Sequence, residues 1–257
     1  MHRQLEFLSG VWQNDFGKSN YFVYKENINA AYANFSKEWK VWQVQVGLRA
    51  EHTHSNGNSV TDNKEVDRNY LSLFPTAFLN HKITENHNIR YSYSRRVDRP
   101  NYQQLNPFVF YMDPLAVDQG NPYLKPQFTD NFEINYSYKQ ASLSLGYSDT
   151  RDMITQISQQ NDATRVISVI RQNLGRFQNF SAGIYVPIKI AKWWNLQNNA
   201  SIYYSKFEDG NLEGAAYSAG KAAVNLYSSS SFTLPQNFSV EINFWLNTPR
   251  VSGVERT

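Results

Sequence analysis

Three guanidinium groups, Arg95, Arg96 and Arg99, fall within one short stretch of the chain. Guanidinium presents a rigid fork of donors, so the group suits charge-assisted recognition of a carboxylate or phosphate, on a ligand or on a lipid headgroup. The same cations can instead pair with Asp98, Asp113 and Asp118 and fold their own segment back on itself. Downstream, Tyr102, Phe108, Phe110, Tyr111 and Tyr123 are interleaved with Asn and Gln, Asn106 among them. Rings beside amides make an apolar platform with hydrogen bonds, suited to a sugar or a chelated ligand. They are equally suited to a compact loop that packs on itself. The candidate ligand-binding set is therefore Arg95, Arg96, Arg99, Tyr102, Asn106, Phe108, Tyr111 and Tyr123.

Catalytic chemistry finds little support. The sequence holds no Gly-x-Ser-x-Gly elbow and no His-Glu-x-x-His motif, so no catalytic residue is assigned and no enzyme is expected. A strand would place His52 and His54 on one face. Two imidazoles are half of a tetrahedral metal site, and a solvated pair is the simpler reading, so no metal or other cofactor is expected. The absence of cysteine excludes disulfides and thiolate ligands and suits an exported protein. A net charge of +3 without a Lys/Arg block leaves no footprint for nucleic acid.

The elements that must position these residues are strands. Trp42, Val44, Val46, Leu48 and Ala50 alternate with Gln43, Gln45, Gly47, Arg49 and Glu51. Phe132–Tyr138, 141–148 and 240–246 repeat the design, as do Ile89, Tyr91 and Tyr93 against Arg90, Ser92 and Ser94. No helical period competes. Aromatic residues make up 15% of the chain while mean hydropathy is −0.59, the balance expected when one face is greasy and the other wet. No window approaches the roughly 18–20 apolar residues of a membrane helix, but a membrane strand shows lipid only every second side chain.

Short polar turns are predicted at 37–40, 84–88, 139–140, 191–192 and 235–237, and long irregular loops at 54–68, 98–126 and 207–220. All the short connections thus lie on one side, as in outer-membrane barrels with short periplasmic turns and long outer loops. Trp39 and Trp42 flank the first turn and Trp193 and Trp194 follow the fourth, where indole would sit at a membrane boundary. About ten strands are expected, near 21–36, 41–53, 69–83, 88–97, 127–139, 141–159, 164–190, 193–207, 221–234 and 238–248. The fold class is all-β: an antiparallel transmembrane β-barrel segment forming one domain, 1–257. Residues 1–4 open without an apolar signal core and 251–257 fall where an outer loop belongs, so truncation at both ends is expected.

One segment reads Tyr93-Ser94-Arg95-Arg96-Val97-Asp98-Arg99-Pro100-Asn101-Tyr102-Gln103-Gln104-Leu105-Asn106-Pro107-Phe108, then Gly120-Asn121-Pro122-Tyr123-Leu124-Lys125-Pro126. It resembles the TonB-dependent receptor superfamily, in its outer-membrane β-barrel protein branch; Gly47-Leu48-Arg49-Ala50-Glu51 and Leu73-Phe74-Pro75 are similar too. The resemblance implies a larger barrel of about 22 strands, plugged by a domain absent from this chain and embedded in the lipid of the bacterial outer membrane. It implies import of a scarce nutrient (a metal chelate, an oligosaccharide or a peptide) driven by the TonB complex acting through that plug. Because the motif is shared while substrates vary, it favours the loop-folding role for the three arginines. A passive channel, or a structural or adhesive barrel without energy coupling, is the alternative; a barrel enzyme or a soluble β-protein is more distant.

Overall fold

The computed structural model describes residues 5–8, 11–14, 19–61, 63–212 and 215–249. The expectations for 1–4 and 251–257 fall outside them. The elements in chain order are β1 (Leu5–Leu8), β2 (Val11–Asn14), β3 (Phe22–Glu38), β4 (Trp42–Ser59), β5 (Lys64–Lys82), β6 (His87–Asp98), α1 (Tyr102–Leu105), β7 (Val109–Asp113) and β8 (Ala116–Gln119). Then come β9 (Gln127–Tyr138), β10 (Ala141–Gln160), β11 (Ile167–Ala191), β12 (Trp194–Leu212), β13 (Ala215–Thr233) and β14 (Ser239–Asn247). Ten strands form one antiparallel meander, β3-β4-β5-β6-β9-β10-β11-β12-β13-β14. The β7–β8 hairpin joins it through a parallel pairing of β8 with β11, and β1–β2 is a separate hairpin that the sequence pattern did not announce.

Register turns the period-two pattern into two different surfaces. Val44, Leu79, Tyr91, Ile134, Leu145, Ala182, Ile202 and Val224 lie directly opposite one another across eight strands. One residue along, the row on the other face is Gln45, Phe78, Ser92, Glu133, Gly146, Ser181, Tyr203 and Ala223. The first row is apolar yet unburied by protein, which only lipid can satisfy; the second is mostly polar and suits a wet lumen. Above the apolar row on the lipid face, Tyr93, Phe132, Tyr147, Phe180 and Tyr204 form a belt. Ring centroids of the first three neighbouring pairs are 4.7, 6.2 and 4.6 Å apart. At the opposite end Trp42 stacks on His81 at 3.7 Å, and Trp193, Trp194 and Phe232 cluster at the β11–β12 turn.

Two expected loops are strand instead. The ladder of β4 and β5 continues to Ser59 and Lys64, and that of β12 and β13 continues to Leu212 and Ala215. Polar composition does not end a strand once the sheet has left the bilayer, because the backbone still pairs and polar side chains bond across it. Asn56 donates to Glu65 at 2.6 Å, and the His54 ring meets the Asp67 carboxylate through a 3.0 Å bond from Nε2. The segment between β6 and β9 is the long excursion expected, but it is folded, carrying α1 and the β7–β8 hairpin. Its small core is Phe22, Leu105 and the fully buried Leu124, with Tyr24 and Ile154 packed against it.

Candidate ligand-capture mouth

The segment between β6 and β9 is held at the end of the sheet away from the short turns. Asn101 starts α1 with a capping box, its side chain accepting from the Gln104 amide while the Gln104 side chain accepts from the Asn101 amide. Gly120 passes beneath this turn so closely that a Cβ would collide with the carbonyl oxygens of Asn106, Gln103 and Gln104. Tyr102 donates to the carbonyl of Phe22 at 3.1 Å and its ring tilts onto Phe22 at 5.4 Å. Arg68 donates to the carbonyls of Leu124 and Pro122. On the far side, Asn121 donates to the Arg171 carbonyl at 3.0 Å, Lys125 and Asn173 exchange two bonds, and Arg171 grips Asp118 with both terminal nitrogens. The excursion is thus tied to β3–β5 at one end and to β11 at the other.

Arg99 is a principal tie. Its Nη2 donates to Glu51 Oε2 at 2.5 Å and to Thr53 Oγ1 at 3.2 Å, and Glu51 Oε1 accepts from Arg49 Nε at 2.6 Å. The loop-folding partner is therefore Glu51 on the wet face of β4, and none of Asp98, Asp113 or Asp118. Buried Pro100 follows Arg99 and the chain turns toward β4, while the three aspartates have other partners. Asp98 accepts from Gln127, Asp113 caps the Leu115 amide, and Asp118 holds Arg171. Nearby, burial and then the Glu26 charge push the Tyr24 hydroxyl up to about 12, so it remains a donor to Glu26 at 3.2 Å.

The other candidates divide. Asn106 accepts from Asn20 at 2.5 Å and from the Phe108 amide at 3.2 Å, and Phe108 is half-buried, so both help shape the loop. Tyr111 and Tyr123 are 54% and 62% exposed. The three arginines are not brought together. Arg95 lies over the Phe128 ring at 5.3 Å, and with Arg96 it lines a cavity that also takes in Arg49 and Glu51, whereas Arg99 reaches Glu51 without lining that cavity. The sequence reading missed Glu51, Arg49, Arg68 and Arg171. The first two were visible as an Arg-x-Glu pair on the polar face of an alternating strand; the others carry no local signal.

A sheet with a lipid face, a wet face, a ring belt and a folded outer mouth is the wall of an outer-membrane barrel. The chain belongs to the Outer membrane protein beta-barrel family, whose profile matches residues 2–257. This bears out the outer-membrane β-barrel branch named by the loop motifs, and the protein resides in the bacterial outer membrane. Among solved structures, the copper transporter OprC superposes with a TM-score of 0.55 at 11% identity, over 91% of this chain and 42% of that one. The siderophore receptor PirA from Pseudomonas aeruginosa gives 0.48 at 10% identity over 89% and 57%. The FrpB iron transporter (F3-3 variant) from Neisseria meningitidis gives 0.48 at 12% identity over 87% and 41%. The chain spans about half the length of these structures or less. Comparison with curated proteins finds no match.

Proposed function

We propose that these residues form part of the barrel of an energy-coupled outer-membrane receptor that imports a scarce nutrient. The observation that carries this reading is the folded mouth: a segment braced to β4 by Arg99 and to β11 by Arg171, on a sheet whose inner face is polar. A passive pore needs an open aqueous path, whereas capture needs a shaped and supported outer surface. In this scheme Tyr111 and Tyr123, exposed on that surface, meet a small-molecule or oligomeric ligand, with Arg95 and Arg96 as further contacts. Arg99, Tyr102, Asn106 and Phe108 hold the loop in shape. β3 and β14 each pair on one side only among the described residues. Lipid cannot satisfy an open edge, so the reading includes further strands that close a barrel of about 22. A plug outside this chain would transmit force from the TonB complex. The residues enclose and position; no bond is made or broken.

The test is nutrient-limited growth and labelled-nutrient uptake in the source bacterium, with the gene for the full protein deleted and restored, and with TonB removed. Uptake lost in both backgrounds is the expected result. Uptake that needs the gene but survives loss of TonB, with steady conductance of the purified protein in planar bilayers, would replace this reading with a passive channel.

A further inference from the structure

The seam between β5 and β6 opens partway up the sheet. The two strands pair from Lys82↔Asn88 to Thr76↔Ser94 and no further. Beyond that point β5 remains paired with β4 up to Lys64, and β6 remains paired with β9 up to Asp98. Two ladders therefore diverge and leave a cavity of about 460 Å³, lined among others by Tyr32, Arg49, Phe74, Arg95 and Arg96. Arg95 and Arg96 are consecutive on a strand, so their side chains leave opposite faces. Both still line the opening because it passes through the seam.

The charges at this opening do not balance. Among the described residues Glu51 is the one carboxylate in its wall, and it is shared between Arg49 Nε and Arg99 Nη2. The Nε of Arg95 is buried without a hydrogen-bond partner among the described residues. Asp130 stands opposite Arg95 in the ladder, but it accepts from the Tyr93 hydroxyl at 2.7 Å and makes no ion pair with Arg95 among the described residues. Arg96 is exposed and likewise has neither hydrogen bond nor ion pair there. A buried guanidinium donor left unmet costs free energy that an anionic group would recover.

We infer that the β5–β6 seam is an anion-binding site in which Arg49, Arg95 and Arg96 receive a phosphate or carboxylate group. This rests on the receptor reading only in naming the group as part of the cargo; outer-leaflet lipid phosphate has the same chemistry and reaches the seam from the other side. Phe74, 7% exposed, and Tyr32 supply an apolar wall for whatever carries the anion.

The experiment uses the full-length protein in detergent and titrates inorganic pyrophosphate calorimetrically at about 0.15 M salt. Binding should weaken at least about tenfold in Arg49→Gln and in Arg95→Gln/Arg96→Gln. Arg90→Gln, a cation on the wet face outside the cavity, should leave it unchanged. Arg96→Gln alone removes no hydrogen bond or ion pair among the described residues and guards against misfolding; it should weaken binding with an unchanged melting temperature. In nanodiscs with and without phosphorylated lipid A, bound lipid displaced by pyrophosphate in an Arg95-dependent way would identify lipid as the source. Pyrophosphate binding indifferent to lipid would identify soluble cargo. No binding, or equal binding in Arg95→Gln/Arg96→Gln and the parent, overturns the inference. TonB-independent uptake would instead overturn the receptor reading while leaving the titration intact.

Discussion

Arg99 and Glu51 bring two charges to a place where neither is well hydrated, with side chains 19% and 9% exposed. Removing one partner of such a pair leaves the other uncompensated, at a cost of about 3–5 kcal/mol in a buried setting. Arg99→Ala should therefore release the loop, and protease should cleave between 100 and 126 many times faster than in the parent. Arg99→Lys should restore protection only in part, because one ammonium can replace the Nη2 bonds to Glu51 and Thr53 but not the additional approach of Nε to Glu26 at 3.8 Å. Unchanged cleavage in Arg99→Ala would show that Arg171 and Arg68 suffice. Gly120 makes a separate test in the same loop: Gly120→Ala forces a methyl group into three carbonyl oxygens. The expected cost is about 1–3 kcal/mol, read as lost amide protection in α1. Of these residues the sequence revealed that Arg99 would fold a loop but not onto what. Its expected partners were near in sequence, whereas Glu51 lies 48 positions away.

Among the elements, the outer extensions of β10 and β11 are coupled by charge on the lipid-facing side just above the ring belt. Arg176 donates to both oxygens of Asp149, at 2.6 and 3.0 Å, and Arg151 adds a longer contact at 3.6 Å. The hydrogen bonds from Arg176 hold the Asp149 carboxyl below its usual range. A carboxyl whose folded pKa is depressed adds stability that is present above its unfolded value, near 3.9, and fades as pH falls through the folded value. Amide protection factors at 150–177 should thus be flat from neutrality down to about pH 4 and fall below it. Asp149→Asn should lower protection at neutral pH and remove that acid dependence; an acid limb retained in Asp149→Asn would assign it to another carboxyl. The core strands were legible because lipid enforces strict alternation on them. The outer extensions were not, since beyond the bilayer nothing selects which face is apolar, and residues such as His54, Asn56 and Asp67 read as loop although the ladder carries on through them.

For the whole molecule, orientation was written in the sequence while closure was not. Alternation says which residues share a face, but a strand's own pattern does not state how many neighbours complete the ring, and β3 and β14 end the described sheet unpaired on their outer sides. The assignment of faces can be tested with two arginines one ladder step apart. Ile184 stands opposite Leu143, and Ser142 is the next residue along β10, on the other face. Ile184 is 47% exposed among apolar neighbours, four residues along β11 from the ring-belt residue Phe180 and four from Ile188, so it lies well inside the lipid band. Arginine there meets hydrocarbon and should cost about 2–4 kcal/mol, whereas arginine at a lumen position meets water. In the full-length protein, Ile184→Arg should reduce the folded, heat-modifiable fraction in the outer membrane sharply, and Ser142→Arg should leave it near the parent level. Equal tolerance of both would mean that Ile184 lies outside the bilayer. Loss only in Ser142→Arg would invert the sheet, putting the folded mouth and the Arg99–Glu51 tie on the lipid side, where no ligand could be enclosed.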